Sequence, residues 1–140
     1  MKLKKTIGLA AILVLPVCCF AQNSGNARDW QPWTHSNCYK NIFFRLKPAG
    51  RDGETYRWKV QFRNAYPNMI SFNYFFTDDQ YATDRHFQRK RLEANETSRP
   101  MDIYFQKDEV YVFIEKMSFS PYPDDIEPCD TQPSDEKPQD

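Results

Sequence analysis

From residue 38 to residue 119, apolar and polar side chains alternate with a period of two, the pattern of strands that bury one face and wet the other. The clearest run is 55–63, where Tyr56, Trp58, Val60 and Phe62 interleave with Arg57, Lys59, Gln61 and Arg63. Residues 69–77 repeat the pattern, with Ile70, Phe72, Tyr74 and Phe76 on one side and Met69, Ser71, Asn73 and Phe75 on the other. In 38–47, Ile42, Phe44 and Leu46 fall together. Met101, Ile103 and Phe105 alternate over a short strand, and Val110, Val112 and Ile114 form the inner row of a last one that reaches Phe119. Residues 86–94 predict a weaker strand, because Arg89, Lys90 and Arg91 interrupt the alternation.

Turn chemistry separates these runs. Residues 48–54 contain Gly50 and Asp52-Gly53, suited to positive φ. Residues 64–68 hold Pro67, which cannot donate to a ladder. A polar loop at 77–85 and turns at 95–100 and 106–109 complete the set. Because 64–68 is short, 55–77 predicts a hairpin whose strands are neighbours in one sheet, with the Trp58 and Phe72 rows lining one core. The expected core is Trp58, Val60, Phe62, Ile70, Phe72, Tyr74, Val112 and Ile114.

Six strands, a seventh from 28–34 and no amphipathic helix give an all-β antiparallel domain, best satisfied by a two-sheet sandwich. Aromatic residues make up 16% of the chain, which supplies the bulk to fill the roughly 10 Å between two sheets. By strand count and spacing the architecture resembles an immunoglobulin or fibronectin type III domain, with a small β-barrel as the alternative. No internal repeat and no family motif stands out.

The ends change where the protein is expected to work. Lys2, Lys4 and Lys5, an apolar run over 7–17 and Cys19-Phe20-Ala21 read as a bacterial signal peptide over 1–21, with a mature chain from Gln22. The run is shorter than the roughly 20 residues of a membrane span, and no transmembrane segment is expected. The protein is therefore read as exported, to the periplasm or the extracellular space. A minor alternative makes Cys18 a lipid-anchored terminus, although Val17 stands where lipoprotein signals carry a small residue. Residues 22–37 are expected to form an extended lead-in pinned by Trp30 and Trp33, 38–121 the β-domain, and 122–140 a flexible acidic, proline-rich tail with Cys129 as its only anchor.

Removing the signal leaves Cys38 and Cys129, which pair in an oxidising compartment. The bridge closes about 90 residues and is worth about 4 to 5 kcal/mol in the chain-entropy model. Cleavage also leaves 16 basic against 19 acidic side chains, with the body positive and residues 124–140 strongly negative. That balance is not that of a nucleic-acid binder.

Candidate chemistry is sparse. His35 and His86 have no nucleophile motif beside them, and neither His-x-x-x-His nor Cys-x-x-Cys occurs, so no catalytic residue, cofactor or metal is expected. Asp78, Asp79 and Asp84 share a loop without the EF-hand pattern. Glu93, Glu96, Glu109 and Glu115 are acids with no evident pairing for glycoside hydrolysis. What lies opposite the core is more telling. Phe43, Arg57, Lys59, Phe75, Tyr104, Tyr111 and Phe113 point outward, and exposed rings on a β-face suit sugar stacking or a protein partner. The expected function is a non-enzymatic binding domain for a glycan or a protein, with a hydrolase inhibitor and a structural or matrix component as the alternatives.

Overall fold

The structure is a computed structural model that describes residues 29–130. Within them, seven strands follow one another without a helix: β1 (Thr34–His35), β2 (Ile42–Asp52), β3 (Thr55–Asn64), β4 (Ile70–Thr77), β5 (Gln88–Leu92), β6 (Met101–Phe105) and β7 (Tyr111–Ser118). They form a four-stranded sheet in the order β1-β2-β3-β6 and a three-stranded sheet in the order β5-β4-β7, all antiparallel. The chain is thus the two-sheet sandwich its alternation predicts, and the sheets stay separate instead of closing into a barrel. Four plus three strands match an immunoglobulin constant domain, but the connectivity does not. There the second strand lies beside the fifth; here β2 pairs with β3, and β3 with β6.

The inward rows meet as expected. Phe62 on β3 is fully buried, and its ring centre lies 5.4, 5.2 and 5.9 Å from those of Phe72, Tyr74 and Phe76 on β4. Full burial of such a side chain is worth roughly 1.5–3 kcal/mol over leaving it in water. Every residue of the expected core is buried or packs against the buried cluster, Val112 in the second manner. Tyr39, Ile42, Leu46, Leu92 and Met117 join them.

One pairing needs correction. Residues 55–77 are not a hairpin: β3 and β4 belong to different sheets, and their rows face each other across the core instead of lying side by side. Period-two alternation fixes which face is buried but carries no information on the neighbouring strand. The crossing is built around Asn64, which is fully buried. Its Nδ2 donates to the carbonyls of Asn68 and Glu93, both at 2.8 Å, and its Oδ1 accepts from the Tyr66 amide at 2.8 Å. With its backbone also donating to Glu96 O at 2.9 Å, the side chain leads the strand out of one sheet and into the arch toward the other.

The true hairpin is β2–β3. Residues 48–52 were expected in a turn, yet β2 runs through them to Asp52 and only Gly53 and Glu54 turn. Gly53 has φ +60°, the first loop position where a II′ turn requires glycine. Between Pro48 and Arg51 the register slips, so that Ala49 and Gly50 oppose Arg57 alone, and Gly50 at φ +93° makes this bulge possible. The first strand is also displaced: it covers only Thr34 and His35, while Gln31 N still donates to Leu46 O at 2.8 Å. The strand expected over 86–94 shortens to Gln88–Leu92.

A second bulge shapes β7. Lys116 and Met117 together oppose Phe72, with Lys116 at φ +51°, and the slip turns Met117 into the core at 2% exposure. Beyond β7, residues 119–130 are held by more than the disulfide. Glu127 N donates to Met117 O at 2.8 Å, the Tyr39 hydroxyl to Glu127 O at 3.1 Å, and Asp130 N to Cys38 O at 2.8 Å. Cys38 and Cys129 are bonded, with Cα atoms 4.8 Å apart. The signal peptide, Cys18, the Gln22 start and the last ten residues of the acidic tail lie outside the described residues. Among those described, no helix is long and apolar enough to cross a membrane.

Candidate functional site: two outer faces

The seven outward residues singled out from the sequence do not share a surface. Because β3 and β4 are in different sheets, Phe43, Arg57, Lys59 and Tyr104 lie on the outside of the four-stranded sheet, and Phe75, Tyr111 and Phe113 on the outside of the three-stranded one. The molecule therefore has two candidate faces, back to back.

On the three-stranded sheet, Phe75 of β4 sits directly opposite Phe113 of β7, with ring centres 6.1 Å apart. Phe87, the residue before β5, extends the row on the other side at 5.7 Å from Phe75. The Arg85 guanidinium lies 4.7 Å from the Phe113 ring centre, within cation–π range. Tyr111 continues β7 opposite Thr77, and its hydroxyl donates to Glu109 Oε2 at 3.1 Å, an acceptor that raises the phenol above its ordinary pKa. Tyr81 stands at the tip of the adjoining loop with 79% of its surface exposed.

That loop is ordered by short-range bonds. Asp79 N donates to Thr77 Oγ1 and Tyr81 N to Asp79 Oδ1, each at 3.0 Å, and Arg85 Nε to Ala82 O at 3.2 Å. The other two aspartates of this loop also meet protein groups. Asp78 Oδ2 accepts the amides of Gln106 and Lys107, both at 3.2 Å, and Asp84 faces His86 at 3.3 Å. Among the described residues, no group of three or more His, Cys, Asp or Glu is placed to hold a metal.

Further along the same face, Arg89 replaces the aromatic row with a polar knot. Its Nη1 donates to Asn73 Oδ1 (2.9 Å) and Lys116 O (3.1 Å), and its Nη2 to Ser71 Oγ (2.6 Å), Ser118 Oγ (2.9 Å) and Tyr122 O (3.1 Å). Burial pushes this guanidinium below its ordinary pKa. All five bonds go to β4, to the β7 bulge and to the segment after it, so Arg89 positions the chain and has little left for a ligand.

On the four-stranded sheet, the register sets Phe43 beside Arg63, Arg45 beside Gln61, Lys47 beside Lys59 and Arg57 beside Tyr104. Lys59 Nζ meets Asp102 Oδ1 at 2.8 Å, which holds that carboxyl below its ordinary pKa. Arg45 is the organising residue: Nε and Nη2 donate to Gln61 Oε1 at 2.9 and 2.6 Å, and its guanidinium carbon lies 4.6 and 4.4 Å from the ring centres of Trp30 and Trp33. The lead-in is pinned by this stack.

A groove of about 410 Å³ opens between the sheets on the side bounded by β5 and β6, lined by Tyr74, Phe76, His86, Gln88, Ile103 and Phe105 among others. Tyr74 OH donates to Gln88 Oε1 at 2.7 Å at its margin. His86 reaches this groove, whereas His35 belongs to β1 on the outer side of the other sheet.

Phe87, Arg85, Tyr81 and Arg45 were not recognised as site residues from the sequence. Phe87 was legible as an aromatic at the start of a strand, but Arg85 and Tyr81 belong to a loop without period, and nothing local to Arg45 marks it as the partner of two indoles. In comparison with known proteins, no family model, no curated protein and no solved structure matches this chain.

Proposed function

We propose that the protein is an exported, non-enzymatic binding module whose ligand, a glycan or a protein, docks on the aromatic face of the three-stranded sheet. The observation that carries this reading is the contiguous row Phe87–Phe75–Phe113, capped by Arg85 and continued by Tyr111. Rigid rings give large contact area at small entropic cost, and the sheet holds them side by side where a sugar or a protein surface can meet them. The Cys38–Cys129 bond supports work outside the cytoplasm, where disulfides persist. The basic-apolar start of the sequence, together with this bond, supports a periplasmic or extracellular location.

Immobilised protein would be exposed to an envelope fraction of the source cell and, in parallel, to a glycan array. Replacing Phe75, Tyr111 and Phe113 by alanine should abolish capture while the near-ultraviolet circular dichroism of the core persists. Capture that survives in a folded triple variant rejects this face. The inhibitor reading draws on the ordered loop that presents Tyr81 beside the same face, and it predicts that a single hydrolase is captured and inhibited.

A further inference from the structure

We propose that the opposite face, on the four-stranded sheet, is a second and independent binding site for an acidic polysaccharide bearing carboxylate or sulfate groups. The register brings five cations, Arg45, Lys47, Arg57, Lys59 and Arg63, onto one face of β2 and β3, with the carboxylate of Asp102 beside Lys59 on β6. This concentration is local, since the chain as a whole has equal numbers of acidic and basic residues.

The fold does not account for these charges. Lys47 and Lys59 sit directly opposite each other, an arrangement that destabilises a strand pair. Asp102 neutralises Lys59 alone. Neither the Lys47 ammonium nor the Arg63 guanidinium has a hydrogen bond or ion pair among the described residues. Arg57 spends Nε and Nη2 on the bulge carbonyl of Ala49, at 3.3 and 3.1 Å, and Arg45 spends the same two nitrogens on Gln61. Nη1 of each makes no hydrogen bond among the described residues. Both guanidinia are thereby held in fixed positions with a donor to spare, which lowers the ordering cost of binding an anion.

Spacing argues for a polymer. Outward positions recur roughly every 7 Å along a strand and about 4.8 Å from strand to strand, so the cations form a grid suited to charges repeated along a chain lying flat. Rings at the margins favour sugar over other polyanions. Tyr104 is 48% exposed beside Arg57 and offers a stacking surface to a pyranose. Trp30 and Trp33 are half-buried and engaged by Arg45, which is poor geometry for the fully exposed base-stacking platform that single-stranded nucleic acid needs. A bilayer would require protruding apolar side chains, and on this face Phe43 is half-buried.

The test uses the purified protein with heparin and polygalacturonate as probes, dextran as the neutral control, and single-stranded DNA and anionic vesicles as competitors. Binding to the acidic polysaccharides should fall steeply with added salt, and dextran should not bind. Lys47→Glu/Arg63→Glu changes two side chains without bonds among the described residues and should weaken heparin binding roughly 10- to 30-fold. The milder Lys47→Gln/Arg63→Gln should give a smaller loss and serves if the reversal does not fold. Phe113→Ala, on the other face, should leave heparin affinity unchanged, so failure here and failure of the aromatic face are read separately. Unchanged heparin binding in the folded double variants overturns the proposal, as does tighter binding to DNA or vesicles than to either polysaccharide.

Discussion

The two sheets bury equivalent apolar rows and present unlike surfaces. Outside the four-stranded sheet, cations stand in a grid, two of them without hydrogen bond or ion pair among the described residues, while Arg45 is clasped by two indoles. Outside the three-stranded sheet, phenylalanines stand in a row and the one deeply engaged cation, Arg89, is consumed by five internal bonds. The difference shows two uses of arginine in one small domain. On β2 and β3 guanidinia keep free donors at the surface; on β5 the guanidinium ties a bulge and a terminal segment to the sheet. The larger sheet stands on its long β2–β3 hairpin, whereas the smaller one depends on contacts made by residues after β7.

That dependence is open to attack. The largest effect is expected from Cys38→Ala/Cys129→Ala, which frees the segment after β7 and should cost about 4 to 5 kcal/mol in urea unfolding by the loop-entropy argument. Amide hydrogen exchange would sharpen the result: β7 and β4 should lose protection before β2 and β3. Simultaneous loss would mean that the bridge serves the whole sandwich equally. Next in size is Arg89→Leu, expected to cost about 2–3 kcal/mol because the buried hydroxyls of Ser71 and Ser118 lose a charged donor. Arg63→Gln, the matching change on the other sheet, should stay within about 0.5 kcal/mol in the same assay.

The remaining effect is an alkaline one. Burial raises the phenols of Tyr39, Tyr66 and Tyr74, that of Tyr66 to about 12. Folded pKa values above the ordinary 10 mean that stability is complete below pH 10 and declines as pH rises toward 12, because the unfolded chain ionises first. Urea midpoints should therefore fall over that window, in step with the phenolate absorbance. Tyr39→Phe should blunt the decline, although it also removes the hydroxyl that links Met117 N and Glu127 O.

Much of this was legible in the sequence. Period-two alternation placed Trp58, Val60, Phe62, Ile70, Phe72 and Tyr74 in the core, because a side chain's face is a local property of an extended chain. Sheet membership was not legible. The arch after Asn64 depends on bonds to Asn68, Glu93 and Glu96, the last two some thirty residues away, and a short turn signal such as Asn-Ala-Tyr-Pro-Asn is the same whether the chain folds back or crosses over. The candidate residues were consequently sound as outward positions but wrong as a single surface. Met117 was hidden for a related reason, since the slip at Lys116 reverses the face of every residue beyond it.

Chain order also determines how the domain can be divided. The path visits the larger sheet for β1, β2 and β3, the smaller for β4 and β5, returns for β6 and crosses again for β7. No single cut yields one intact sheet without a strand of the other, so the two surfaces cannot be inherited or expressed as separate pieces. Each can be altered by point substitution, but neither can be isolated by cutting the chain.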